Sequence, residues 1–122
     1  MNIEDILKKL GMEFKINKEK NKYEWIELEN ESIVVIIKNK GNVFKIDRKF
    51  FYKIDDLLLP YIFILIDTNS GKKYCMKIKE PNNFLRNAFE NSSKDEIYFG
   101  KQVLQNEMED KKILDEIKKI GE

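Results

Sequence analysis

The residues best suited to chemistry lie in the middle of the chain. Lys38, Lys40, Lys45, Arg48, Lys49 and Lys53, then Lys72, Lys73, Lys77 and Lys79, make residues 35–79 a basic segment of 10 basic and 4 acidic groups. Such a zone can meet phosphates. Tyr23 and Trp25 stand two apart on a strand-like stretch, where aromatic rings can stack on bases. Each feature also has a plainer account. Lys supplies point charge without the bidentate fork of Arg, so a lysine-rich segment also reads as a solvated surface. Two aromatics on a half-buried face also pack across strands. The chain has no histidine, which removes Ser-His-Asp and Cys-His nucleophile pairs and His-based zinc sites. The single cysteine, Cys75, excludes an internal disulfide framework, suits a reducing cytosol and reads as a small apolar packing group.

The elements that must hold these residues are legible from periodicity. At 122 residues the chain is expected to form a single domain over 1–122, with a net charge of only +1. Its apolar runs are too short for a bilayer, which needs about 20 residues. The start, Met1-Asn2-Ile3-Glu4-Asp5, reads as an acidic amphipathic opening and not a secretory leader. Asn2 caps a first helix with Ile3, Ile6, Leu7 and Leu10 on one face, stopped by Gly11. Strands are expected at Met12–Asn17, Tyr23–Glu29, Ser32–Asn39 and Val43–Ile46. Next comes a helix capped by Asp47, with Phe50, Phe51, Ile54, Leu57 and Leu58 inward and Pro60 as its stop. Tyr61–Asp67 reads as a strand buried on both faces, and a turn at Asn69-Ser70-Gly71 leads into Lys73–Lys79, with Tyr74, Met76 and Ile78 on one side. Pro81–Asn91 reads as a helix, with Asn82-Asn83 as turn and cap chemistry. Ile97–Phe99 reads either as a short strand or as an extended segment that tucks Tyr98 and Phe99 onto the core, and Asn106–Ile120 as a charged amphipathic helix. The order α-β-β-β-β-α-β-β-α-(β)-α predicts an α/β or α+β fold, with a mixed central sheet of about five to six strands flanked by helices.

The run Ile33-Val34-Val35-Ile36-Ile37-Lys38-Asn39-Lys40, then Val43-Phe44-Lys45-Ile46-Asp47, then Leu59-Pro60-Tyr61-Ile62-Phe63-Ile64-Leu65-Ile66-Asp67 carries a resemblance. Over residues 23–79 it resembles the small DUF4365-type domains of the PD-(D/E)XK nuclease superfamily. The resemblance implies a helix, a three-strand meander, a crossover helix and a parallel fourth strand. It also implies a nuclease using Mg²⁺ or Mn²⁺, with acids on adjacent strands holding the metal and a lysine positioning or activating the attacking water. Lys38 takes the lysine position, but the position two before it is Ile36, which cannot bind a metal.

The hairpin register bears on the remaining acid. With Asn30-Glu31 as a two-residue loop, Tyr23 faces Lys38, Trp25 faces Ile36 and Glu27 faces Val34. Glu27 then lies on the Lys38 face and Glu24 on the opposite one. Lys38 and Glu27 are therefore the candidate catalytic pair. One carboxylate makes a poor magnesium site, so the copy reads as degenerate.

Three functions follow. The first is a non-catalytic binding or regulatory protein with a nuclease-like core, contacting nucleic acid or a nucleic-acid-processing protein through Lys38, Lys40, Lys45, Arg48, Lys49, Lys72, Lys73, Tyr23 and Trp25. The second is a small phage or mobile-element inhibitor of a bacterial defence enzyme, acting by protein contact. The third is a live metal-dependent nuclease, which needs Glu24, Glu27 and Asp67 to converge. No cofactor is expected under the first two. The expected location is cytoplasmic, with no membrane contact, and the tail helix is a candidate homodimer contact.

Overall fold

The computed structural model describes residues 3–9, 11, 13–19, 23–39, 41, 43–77, 96–99 and 107–119. The helix expected at Pro81–Asn91 and the candidate Lys40 lie outside these residues. Helix α1 (Ile3–Lys9) has Glu4 and Asp5 in its first turn and Lys8 and Lys9 in its last, the arrangement that complements the helix dipole. Gly11, at φ +67°, donates its N–H to the Lys8 carbonyl and ends the helix. A meander of β1 (Phe14–Glu19), β2 (Tyr23–Leu28) and β3 (Ile33–Lys38) follows. Strand β4 (Lys45–Asp47) leads into α2 (Arg48–Asp55), and β5 (Tyr61–Ile66) into β6 (Lys73–Lys77). Strand β7 (Glu96–Tyr98) and helix α3 (Asp110–Lys119) complete the described elements.

The central sheet has five strands in the order β1-β2-β3-β5-β6, and β4 pairs with β7 in a separate two-stranded sheet. The fold is α+β, with a mixed sheet. Strands β3 and β5 run parallel, from Ile33 beside Tyr61 to Lys38 beside Ile66, because α2 carries the chain back across the sheet. The other pairs are antiparallel.

Strand β3 feeds two cores at once, as a strand covered on both faces must. Ile33, Val35 and Ile37 join Phe63, Leu65, Phe50, Phe51 and Ile54 under α2 and the small sheet. Val34 and Ile36 join Ile62, Ile64, Leu7, Ile113 and Ile117 under α1 and α3. Phe51 is fully buried, with its ring 6.3 Å from Phe63 and 6.4 Å from Tyr61. The apolar face of α3 is docked on its own sheet, with Ile113 and Ile117 fully buried. This docking accounts for the buried apolar residues of α3 without a second copy of the chain. Helix α2 also ends earlier than its apolar spacing predicts. Asp56 closes it, Leu58 turns to φ +57°, and Leu57 and Leu58 face solvent instead of extending the core.

The most consequential difference is the β2–β3 register. Glu24 faces Ile36, Trp25 faces Val35, Ile26 faces Val34 and Glu27 faces Ile33, one residue from the expected pairing. The loop has three residues, not two. Leu28 donates its N–H to the Ser32 carbonyl at 2.9 Å, and Glu31 takes a left-handed φ of +62° while donating its N–H to the Leu28 carbonyl. Asn30 accepts from both the Ser32 N–H and the Ser32 hydroxyl, which fixes the turn. Asn-Glu lacks the glycine that a two-residue turn needs for its positive φ angles. A three-residue loop places a single residue in that region. A one-residue slip exchanges faces, so Glu24 joins Ile36 and Lys38 while Glu27 moves away.

Glu31→Gly removes the side-chain penalty of the left-handed position and is expected to raise unfolding free energy by about 0.5–1 kcal/mol, read from urea melts. A loss of stability in that variant would contradict the three-residue loop.

Candidate functional site

On the α1/α3 side, the sheet ends in a row of charges rather than apolar residues. In β1, Phe14 and Ile16 pack inward and Lys18 is the next residue on that face. Lys18 pairs with Glu24, Glu24 with Ile36, and Lys38 with Ile66, which pairs with Lys73. These residues line a cleft of about 560 Å³ together with Glu4 from α1 and Asp67, Thr68 and Gly71 from the β5–β6 turn. The cleft opens at the carboxyl ends of the two parallel strands. Glu24 is half-buried, whereas Lys18 and Lys38 are exposed. Among the described residues, neither lysine forms an ion pair.

The rim is held by a polar clasp. Asn39, directly after β3, donates its side-chain amide to Asp67 Oδ1 at 3.3 Å and to the Gly41 carbonyl at 2.8 Å. Its Oδ1 accepts from the Thr68 N–H and hydroxyl, both at 2.9 Å. Asp67 Oδ1 also accepts the Asn69 N–H at 2.9 Å and the Ser70 N–H at 3.4 Å. The Asn69 N–H holds the Asp67 carboxyl below its ordinary pKa, and Ser70 and Lys72 add to this against a smaller opposing effect of burial. The clasp joins the ends of β3 and β5 and fixes the cleft rim.

A divalent metal of the kind the nuclease resemblance implies does not fit this set of donors. Ile36 stands beside Glu24 where a second ligand is needed, and one oxygen of Asp67 is engaged by the turn. Among the described residues, no three acidic or cysteine side chains come within range of a shared ion. Hard cations need several oxygen ligands, so no chemical step is routed through a metal here.

The other expected site residues are divided between the two faces. Glu27 faces Ile33 on the α2 side, exposed and away from Lys38, so the Lys38–Glu27 pair is not formed. Its place is taken by Glu24. Tyr23 is buried under α2, stacked on Phe50 at 4.3 Å, and its oxygen accepts the Asp47 N–H at 2.8 Å. Trp25 tilts against Phe50 at 5.6 Å and lies under the Lys53 ammonium at 5.0 Å. Both rings serve packing, and neither reaches the cleft. Lys45 pairs with Glu96 at 2.9 Å, a hydrogen bond that raises its pKa, and sits 6.0 Å from the Tyr98 ring. Arg48 and Lys49 belong to the first turn of α2, on the far side of the sheet. Lys72 lies 4.0 Å from Glu107, and Lys73 lies 2.9 Å from Asp110. The basic segment is therefore not one patch: among the described residues of the expected set, only Lys38 and Lys73 line the cleft.

Sequence reasoning missed Lys18, although the alternation Phe14, Ile16, Lys18 carried the signal. It placed Glu24 on the wrong face, through the loop length alone. Among the described residues, no helix is long and apolar enough to cross a membrane. Comparisons with protein-family models, curated proteins and solved structures each give no match.

Burial, opposed in part by the Asp47 N–H, raises the Tyr23 pKa from 10.0 to about 12. Burial also raises Tyr61, whose hydroxyl donates to Asp55 Oδ1 at 2.8 Å. A raised folded-state pKa means that these phenols favour the fold fully below pH 10, and that this contribution is lost as pH climbs through the folded-state value. Tyr23→Phe, which takes the phenol oxygen from the Asp47 N–H, should start less stable but lose less stability between pH 10 and about 12 than the parent chain does. Urea midpoints across that window decide it, and parallel pH profiles would contradict the buried phenol.

Proposed function

We propose that the chain is a non-catalytic binding protein with a nuclease-like core, taking nucleic acid by its phosphates in the cleft at the carboxyl ends of β3 and β5. The observation that carries the reading is the placement of Lys18 and Lys38, without ion pairs among the described residues, on either side of Glu24 in that cleft. Open sheets with parallel strands take ligands outside the carboxyl ends of those strands. Lysines that neutralise phosphates release counterions, which supplies affinity without sequence readout. The helix, meander, crossover helix and parallel strand support a nuclease-like core. Ile36 argues for binding without cutting, because it removes the donor that a metal beside Glu24 would need.

A second reading has its own observation. Tyr52, Leu57 and Leu58 are exposed around the end of α2, with Leu58 90% accessible. Under that reading this apolar group contacts a nucleic-acid-processing protein, as an inhibitor would.

The test is a fluorescence-anisotropy titration of single-stranded DNA and RNA across a salt series, in Mg²⁺, Mn²⁺ or EDTA. Lys18→Ala and Lys38→Ala should each weaken binding and lower the slope of log affinity against log salt by about 0.7 for a single strand. Binding should be the same in metal and in EDTA, with the oligonucleotide intact. Metal-dependent cleavage lost in Lys38→Ala and Glu24→Gln would overturn the non-catalytic reading. Absence of binding both by the parent chain and by Asp110→Asn, in which the Lys73 ion pair is removed, would leave the apolar group at the end of α2 as the working surface.

A further inference from the structure

The segment Glu107-Met108-Glu109-Asp110 lies along Lys72 and Lys73 at the edge of β6. Its attachment is well defined. The Met108 N–H donates to the Lys73 carbonyl at 2.8 Å, and Glu107 bridges to Tyr74 in the manner of an antiparallel strand. Just beyond, Ile113 and Ile117 anchor α3 in the core. Asp110 Oδ1 accepts from the Lys73 ammonium at 2.9 Å, with the lysine side chain only 14% exposed. Lys73 is also a wall of the cleft that holds Lys18 and Lys38.

We propose that this acidic segment is an autoinhibitory strap, in which Asp110 occupies Lys73 as a carboxylate stand-in for a phosphate. The proposal rests on the reading of the cleft as a phosphate site. A carboxylate and a phosphate oxygen make the same charge-assisted hydrogen bond to an ammonium group. Because α3 tethers Asp110, it competes as an intramolecular ligand, at an effective concentration that free nucleic acid does not match. Among the described residues, the cleft therefore works with two lysines where three are present. Release of the strap would add the third without rearranging the sheet. The Lys72–Glu107 pair at 4.0 Å is solvent-exposed on both sides and adds little to the latch.

The experiment uses the full chain and a fluorescein-labelled oligothymidylate of about 20 nucleotides, long enough for any single OB-sized footprint. Asp110→Asn should bind it about three- to tenfold more tightly and steepen the salt slope by about 0.7, one further phosphate contact. Lys73→Gln combined with Asp110→Asn should return both values to those of the parent chain. Asp110→Glu, which keeps the charge, should remain near the parent, and thermal melts of each variant verify the fold. If Asp110→Asn matches a parent chain whose binding is lost in Lys38→Ala, the strap is overturned and the cleft reading stands. If neither the parent nor Asp110→Asn binds, both fall. Binding that appears only in Asp110→Asn supports the strap most directly.

Discussion

Strands Ile33–Lys38 and Tyr61–Ile66 lie parallel at the centre of the sheet with apolar matter on both faces, and the other elements are positioned by that pair. A parallel pair cannot be closed by a tight turn, so the chain between them must cross over. Helix α2 makes that crossing and builds one of the two cores. The second core on the opposite face recruits α1 and α3. Since both strands run in one direction, their carboxyl ends open together, and the residues that follow the apolar runs meet there. Lys38 and Asp67 are those residues, and Asn39 ties the two ends into one rim. The cleft is thus a consequence of the central pair rather than a separate construction.

Much of this order was legible in the sequence, because it is written in periodicity. The continuous apolar run of Tyr61–Asp67 read as a strand covered on both faces, the spacing of Phe50, Phe51 and Ile54 read as a helix, and a helix ahead of such a strand favoured a parallel pair. Other features depend on angles or distances that periodicity does not carry. The register of β2 against β3 turned on whether one residue, Glu31, takes a positive φ. The warning was present in the absence of glycine from Asn30-Glu31, and the consequence was large, since it exchanged Glu27 for Glu24 beside Lys38. The pairing of β4 with β7 joins segments with no local signal in common. The Lys73–Asp110 contact spans 37 residues and follows from where α3 docks, which hydrophobic spacing alone does not specify.

The distribution of lysines illustrates the same limit. A count along the chain gathers them into one basic segment, whereas the sheet sorts them by face. Lys38 and Lys73 alternate toward the cleft, Lys45 closes an ion pair with Glu96, and Lys53 covers Trp25. Aromatic residues are sorted likewise: Tyr23 and Trp25 pack on Phe50, where their area contributes to stability and no ligand can reach the stacked face. The α1/α3 side is left with a small mixed-charge cleft in which two lysines lack ion pairs among the described residues, and an isoleucine stands beside a half-buried carboxylate.

The most direct measurement is a residue-resolved amide shift map by heteronuclear NMR, recorded as a single-stranded oligonucleotide is added to the full chain. Shifts confined to Lys18, Glu24, Lys38, Asn39 and the turn after Asp67 are the result this account predicts. Shifts centred instead on Tyr52, Leu57 and Leu58, or on Tyr23 and Trp25, would contradict it and place the working surface on the other side of the sheet.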